Sequence, residues 1–158
     1  SDSAQEKFGK VMSIPDNLII PYFEVYTELP LDEVKEKAEL LASDDMNPMA
    51  AKLDLASAIV ERYHGADAAG EAREFFKKTF QKREIPEAVD IERIRKGGEI
   101  AKVLVGLKLA PSASEARRLL RAGSVEFDGE VVRDPHFALE RTGVLRVGKK
   151  RFVKVELE

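Results

Sequence analysis

Hydrophobic residues recur every three or four positions through the first half of the chain, and polar residues fill the positions between them. This period is typical of amphipathic helices, and it predicts four of them between Asp16 and Gln81. Asn47-Pro48 marks the start of the longest helix, because asparagine caps a helix and proline fits its first turn. We therefore expect a small all-α bundle. Its predicted core positions include Val34, Ala38 and Leu41, then Met49, Leu53, Ala56, Ile59 and Val60, and finally Ala69, Ala72, Phe75, Phe76 and Phe80.

The start of the chain carries a weaker pattern. Residues 1–6 are predicted to form a tail, and residues 7–16 a basic, glycine-containing loop. This loop leads to Pro15-Asp16, a typical helix start. Because the chain begins with Ser1 rather than methionine, we expect a piece of a longer protein.

A connector is predicted after the bundle. Residues 82–98 have poor periodicity, and Pro86 and Gly97-Gly98 interrupt them. The chain is therefore expected to contain two domains joined by a linker. The predicted boundaries are residues 1–82 for the helical domain, 83–99 for the linker and 100–158 for the second domain.

The second domain is predicted to contain both helices and strands. Helical periodicity covers residues 100–109 and 112–123. Residues 125–127 alternate between apolar and polar, and Asp128-Gly129 is the pair that a two-residue hairpin turn prefers. Two further strands are predicted to pair around a tight turn, and they comprise residues 144–147 and 152–157.

The predicted helix at residues 112–123 carries its own start and stop signals. Ser112 and Glu115 have the spacing of a capping box, in which each side chain accepts a hydrogen bond from the other residue's backbone. Gly123 stands where a left-handed C-terminal cap favours glycine. The apolar face is formed by Ala113, Ala116, Leu119 and Leu120.

The opposite face of this helix is basic. No acidic residue lies four positions from its arginines, so guanidinium groups spaced three and four apart could bind phosphates. Three arginines alone favour the simpler alternative, a solvated surface helix. What shifts the balance toward phosphate binding is that the order of the surrounding elements resembles a known RNA-binding fold. The candidate residues, which include two lysines flanking the helix, are Arg117, Arg118, Arg121, Lys102 and Lys108.

Composition excludes several classes of protein. Apolar residues make up 44% of the 158 residues and charged residues 35%, and no apolar run approaches the roughly 20 residues of a membrane helix. The absence of cysteine excludes disulfides and thiol catalysis, and with no secretory signal it suits a cytoplasmic protein. The net charge of −3 combines −6 in residues 1–86 with +3 in residues 87–158, so a polyanion is expected to bind the second half.

No catalytic or metal site is predicted. His64 and His136 lie in different predicted domains without an evident partner, and Asp44-Asp45 fits a polar loop better than a calcium site. No glycine-rich loop of the phosphate-binding type occurs. The chain by itself is therefore interpreted as a binding unit.

Residues 112–134 resemble a known RNA-binding fold. The run SASEARRLLRAG at residues 112–123, followed by Asp128-Gly129, closely resembles the signature of the RNA-binding domain named after the fourth small-subunit ribosomal protein, here called the S-four-type domain. The resemblance implies an α+β chain, in which a helical bundle precedes short helices packed on a small, mostly antiparallel sheet. Glu126 stands where many relatives carry a basic residue, so its strand is expected to contribute less to phosphate binding.

The first half resembles a second family. The run FGKVMSIPD at residues 8–16, the run LIIPYFEVYT at residues 18–27 and the segment from Asn47-Pro48 to Asp54 resemble bacterial tyrosyl-tRNA synthetases. In that family a helical anticodon-recognition domain precedes a linker and an S-four-type domain. The resemblance therefore identifies the chain as the C-terminal part of such an enzyme, without the catalytic domain.

This resemblance implies a function. The parent enzyme would activate tyrosine with ATP and magnesium and transfer it to tRNA(Tyr), and the present chain, which needs no cofactor, would be inactive alone. Its helical domain would approach the anticodon arm. Its S-four-type domain would hold the backbone of the anticodon stem and the long variable arm through the five basic residues named above. The parent enzyme would be a cytoplasmic homodimer.

Two alternatives remain open from the sequence. The chain could be a free-standing ribosomal or stress-related RNA-binding protein that uses the same S-four-type fold. It could also serve mainly as a protein-interaction or dimerisation module whose basic helix is merely solvated.

Overall fold

A computed structural model describes residues 1–80 and 88–158 of the chain. These residues divide into two compact units. The described residues of the first unit are 1–39 and 48–80, and those of the second unit are 40–47 and 88–158. The predicted α+β class is confirmed, because the first half is helical and the second half combines helices with a five-stranded sheet.

The first half of the chain folds into helices. Its longest helix buries an unbroken apolar side that contacts three of the others, so it forms the centre of the bundle. The main predicted helices of this half are confirmed. The helices are α1 (Ala4–Met12), α2 (Ile19–Tyr26) after a 3-10 turn (Asp16–Leu18), α3 (Leu31–Ala42), α4 (Pro48–His64) and α5 (Ala66–Phe80).

Helix α1 corrects the prediction of a tail and a loop. The Ser3 hydroxyl accepts a hydrogen bond from the Glu6 amide at 3.2 Å, and the Glu6 carboxylate accepts one from the Ser3 amide at 2.9 Å. This reciprocal cap satisfies backbone donors that would otherwise lack partners at the helix start. Phe8, Val11 and Met12 are buried, so α1 forms part of the core of the bundle.

Several predicted core positions differ from the observed ones. Phe75 is 48% exposed, whereas the neighbouring Phe76 is half-buried, with its ring centroid 5.8 Å from that of Phe8. In α3 the predicted Val34 is buried, but Leu40 is buried where Leu41 was predicted, and Leu41 is half-buried. The predicted helix end at Gln81 lies outside the described residues.

The second unit is built on a sheet whose strands have the order β1-β7-β6-β3-β4. Strand β1 runs parallel to β7 and every other neighbouring pair is antiparallel, so the prediction of a mostly antiparallel sheet is confirmed. Two short strands, β2 and β5, form a separate antiparallel pair. The elements are β1 (Asp90–Ile94), β2 (Gly98–Glu99), α6 (Ile100–Gly106), α7 (Ala113–Ala122), β3 (Val125–Phe127), β4 (Glu130–Val131), β5 (Ala138–Leu139), β6 (Gly143–Val147) and β7 (Arg151–Leu157).

Strands β1 and β2 lie within residues 83–99, which the sequence analysis interpreted as a linker. Strand β1 pairs along its whole length with β7, from Asp90 opposite Val153 to Ile94 opposite Leu157. It is an edge strand on which only Ile94 is buried, so it lacks the alternating pattern that reveals a strand. Residues 83–87 lie outside the described part of the chain.

One face of the sheet carries the apolar core. Residues two apart along a strand share a face, and Val125, Phe127, Leu145, Val147 and Val153 are all buried. Helices α6 and α7 pack on each other, and each buries apolar residues. Among the described residues, no helix is both long enough and apolar enough to cross a membrane.

Candidate nucleic-acid interface

Helix α7 begins and ends where the sequence predicts. The Ser112 hydroxyl accepts a hydrogen bond from the Glu115 amide at 3.2 Å, and Gly123 adopts the left-handed conformation with φ of 85°. Ala116, Leu119 and Leu120 are buried, which fixes the rotation of the helix about its axis. Ala113, which was assigned to the same face, is exposed.

Arg117 and Arg121 lie one turn apart on α7, and both are exposed. Side chains four positions apart on a helix are neighbours, so these two guanidinium groups share one face. The structure therefore places together the two arginines that the sequence analysis assigned to a phosphate-binding surface. We call Arg117 and Arg121 the α7 pair. Whether they contact RNA stays a prediction.

Arg118 differs from the α7 pair. Its Nη1 lies 3.2 Å from the Glu115 Oε1, and its side chain is only 27% exposed. The predicted capping box at this helix start is therefore only half formed, because the Glu115 carboxylate pairs with Arg118 instead of the backbone of Ser112. An ion pair three positions apart reduces the charge that Arg118 can offer to a phosphate. Arg118 remains a candidate that no observation tests.

Lys102 lies on α6 with a side chain that is 82% exposed. Its Nζ is 3.7 Å from the Glu99 Oε2, and the His136 Nδ1 lies 3.3 Å from the same oxygen. Glu99 is thus the partner of His136 that the sequence analysis did not identify. An ion pair this exposed holds Lys102 weakly, so the ammonium group is accessible to solvent and to an anion.

A short loop brings the start of α6 and the end of α7 together. The amides of Ile100 and Ala101 donate to the carbonyls of Phe137 (2.8 Å) and Pro135 (3.2 Å). A few residues earlier in this loop, the Arg133 Nη1 donates to the backbone carbonyl of Arg121 at 3.0 Å. Loop residues 133–137 therefore contact both the beginning of α6 and the last turn of α7.

Lys108 lies at the other end of this helix pair. It is exposed and follows the end of α6 in a left-handed conformation with φ of 60°. The next residue, Leu109, accepts a hydrogen bond from the Arg151 Nη1 at 2.7 Å through its carbonyl. Of the five predicted residues, the structure thus places Lys102 and Arg121 toward one end of the helix pair and Lys108 toward the other.

Glu126 does not lie on an exposed surface. It is 7% exposed, and its Oε2 is 3.8 Å from the Nη1 of Arg146, which is 9% exposed. The two residues are opposite each other on β3 and β6. The charge of Glu126 is therefore compensated inside the protein and does not face a ligand.

The described residues hold no cluster of three histidine, aspartate or glutamate side chains that could bind a metal ion. The sequence analysis did not select Arg133, because it stands alone among apolar and acidic neighbours without a repeating pattern. The tertiary fold is what brings it to α7.

Two family models match the chain. Residues 1–81 match the family described as tRNA synthetases class I (W and Y), and residues 100–144 match the S4 domain, the S-four-type fold of the sequence analysis. The first match covers half of the chain.

Curated relatives match over nearly the whole chain. The tyrosine–tRNA ligase of Thermotoga maritima is 40% identical over 98% of this chain and 39% of its own length. Those of Moorella thermoacetica and Geobacter metallireducens are 41% and 39% identical over 98% of this chain, which corresponds to 38% and 40% of their lengths. The chain thus spans about two fifths of the length of these relatives. It belongs to the class I tRNA synthetases of the W and Y type, and its relatives are tyrosine–tRNA ligases.

Proposed function

We propose that this chain is the tRNA-binding C-terminal region of a tyrosine–tRNA ligase and that its second unit binds the backbone of tRNA(Tyr). The observation that carries the proposal is the exposed α7 pair, Arg117 and Arg121, in a chain similar to tyrosine–tRNA ligases along 98% of its length. The net charge of +3 in residues 87–158, against −6 in residues 1–86, supports binding of a polyanion by the second half.

Arginine suits this role for physical reasons. Its guanidinium is planar, remains charged at every physiological pH and donates two parallel hydrogen bonds to a phosphate. Such contacts position an RNA without reading its bases, and folded RNA is recognised largely through its shape and backbone. The helical unit would approach the anticodon arm, and the S-four-type domain would hold the anticodon stem and the long variable arm.

In this proposal the chemistry resides in the portion of the enzyme that this chain does not span. ATP and magnesium would support activation of tyrosine there, and the parent enzyme would be a homodimer joined mainly through that portion. In this proposal the present chain supplies tRNA binding and positioning, and it is inactive without that portion.

The proposal predicts salt-dependent binding that requires the α7 pair. We expect Arg117→Ala/Arg121→Ala to weaken binding of a tRNA(Tyr) transcript and to reduce the slope of log Kd against log salt by about two, since each lost phosphate contact removes about one counterion. The melting temperature should stay unchanged, because both side chains are exposed.

The matched control is Arg93→Ala/Arg95→Ala, which removes two exposed arginines in and just after β1 and should leave the slope unchanged. If the α7 variant binds as tightly as the unmodified chain at low salt, the role of the pair is rejected.

The two alternatives predict different results in the same titration. A free-standing ribosomal or stress-related RNA-binding protein would bind ribosomal RNA fragments as tightly as tRNA(Tyr). A protein-interaction or dimerisation module would bind neither RNA at low salt. Preference for a tRNA with a long variable arm over unrelated duplex RNA supports the proposed function as the tRNA-binding region of a synthetase.

A further inference from the structure

Arg133 is an exposed arginine whose backbone is held on both sides. The amide of the preceding Val132, a buried residue, donates to the carbonyl of Val125 at 3.0 Å. On the other side a hydrogen-bonded turn follows, in which the amide of Phe137 donates to the carbonyl of Asp134 at 3.1 Å. The position of Arg133 is therefore set by the sheet and by this turn.

The Arg133 side chain is directed to the end of α7. Its Nη1 donates to the Arg121 carbonyl at 3.0 Å, so the third guanidinium lies at the last turn of the helix that carries the α7 pair. A carbonyl oxygen has no formal charge, and a helix C-terminus favours a nearby cation through its dipole. This bond therefore orients the guanidinium toward the last turn of α7.

The same loop links Arg133 to α6. The Ala101 amide donates to the Pro135 carbonyl two residues after Arg133, and Lys102 is the next residue along α6. The backbone of this loop thus connects Arg133 to the start of α6 next to Lys102, and the Arg133 side chain bonds the Arg121 carbonyl. Arg133 occupies the region between two of the residues assigned to RNA binding.

We propose that Arg133 binds a phosphate of the RNA backbone and joins the α7 pair to Lys102 in one continuous cationic surface. The inference rests on the proposed function and extends it to a residue that no sequence motif indicates. The ligand is a phosphodiester of a folded RNA, which a guanidinium recognises through charge-assisted hydrogen bonds. The alternative is that Arg133 serves only to cap α7.

Two substitutions in the 158-residue chain separate these roles. Arg133→Gln removes the charge but keeps an amide donor, and Arg133→Lys keeps the charge. If Arg133 contacts a phosphate of a tRNA(Tyr) transcript, the Gln variant lowers the slope of log Kd against log salt by about one, and the Lys variant retains it. Arg93→Gln makes the same charge change on β1, at the opposite edge of the sheet from β4, and should leave the slope unchanged.

A capping role gives a different pattern. If Arg133→Gln lowers the melting temperature while the salt slope stays at the value of the unmodified chain, Arg133 is structural and the inference is overturned. A different result rejects the proposed function itself, namely that the unmodified chain binds no tRNA. If Arg117→Ala/Arg121→Ala lowers the slope and Arg133→Gln does not, only the inference is rejected.

Discussion

At the scale of single residues, Glu126 and Arg146 are buried charges of the second unit that depend on each other. Arg146 also donates through Nη2 to the Lys149 carbonyl at 2.8 Å, and its guanidinium lies 4.9 Å from the Phe152 ring centroid. Removing two charges from water is costly, and their mutual attraction offsets that cost only while both are present. The pair is therefore a buried structural feature of the sheet.

We expect Glu126→Ala to lower the free energy of unfolding by about 3 kcal/mol, because the substitution leaves the Arg146 charge buried without its carboxylate. Urea denaturation measures this change. The control is Glu92→Ala, which removes an exposed carboxylate from β1 and should change the free energy of unfolding by less than about 0.5 kcal/mol. Equal effects of the two substitutions would contradict the structural role of Glu126.

At the scale of elements, the turn between β6 and β7 packs closely against the segment Leu40–Asn47 within the second unit. A Cβ atom on Gly148 would lie 3.0 Å from the Asp44 carbonyl oxygen, and Gly148 has φ of 67°. Nearby, the Arg151 Nη2 lies 3.3 Å from the Asp45 Oδ1. Glycine is thus required here by both the backbone conformation and the close approach.

We expect Gly148→Ala to destabilise the protein more than Gly129→Ala. Gly129 in the β3–β4 turn has φ of 82° and open space around it. The Gly129→Ala substitution should therefore cost only the strain of a left-handed backbone, about 1–2 kcal/mol. Gly148→Ala should add about 1–3 kcal/mol for the steric conflict with the Asp44 and Asp45 backbone. Thermal melts of both variants give the comparison, and equal melting temperatures would show that this packing is loose.

Elements with strong local signals could be predicted from the sequence. Asn47-Pro48 precedes α4 and Gly123 ends α7, because caps and apolar periodicity act within a few residues. Helix α1 was missed because its glycine favoured a loop interpretation, although Ser3 and Glu6 have capping-box spacing. Strand β1 was missed because it is an exposed edge strand that forms by pairing with β7, which is distant in sequence. Such pairing leaves no alternating apolar pattern in the sequence of β1.

At the scale of the whole molecule, the chain combines two compact units and is similar to tyrosine–tRNA ligases along nearly its whole length. The sequence could predict the α7 pair, since residues four apart on a helix are neighbours in any fold. The Arg118–Glu115 and Lys102–Glu99 ion pairs also follow a helical spacing, of three residues, and an expectation based only on partners four residues away missed them. The sequence could not predict Arg133, because tertiary folding alone brings that residue to Arg121.

The central claim, that the α7 pair contacts the RNA backbone, is tested most directly by NMR of the arginine Nε–H groups. The labelled chain is titrated with a tRNA(Tyr) transcript at low salt. We predict that the signals of Arg117 and Arg121 shift in proportion to the bound fraction, whereas the signal of Arg93 on β1 stays in place. Saturation of the chain with tRNA while the signals of Arg117 and Arg121 do not move would contradict the claim.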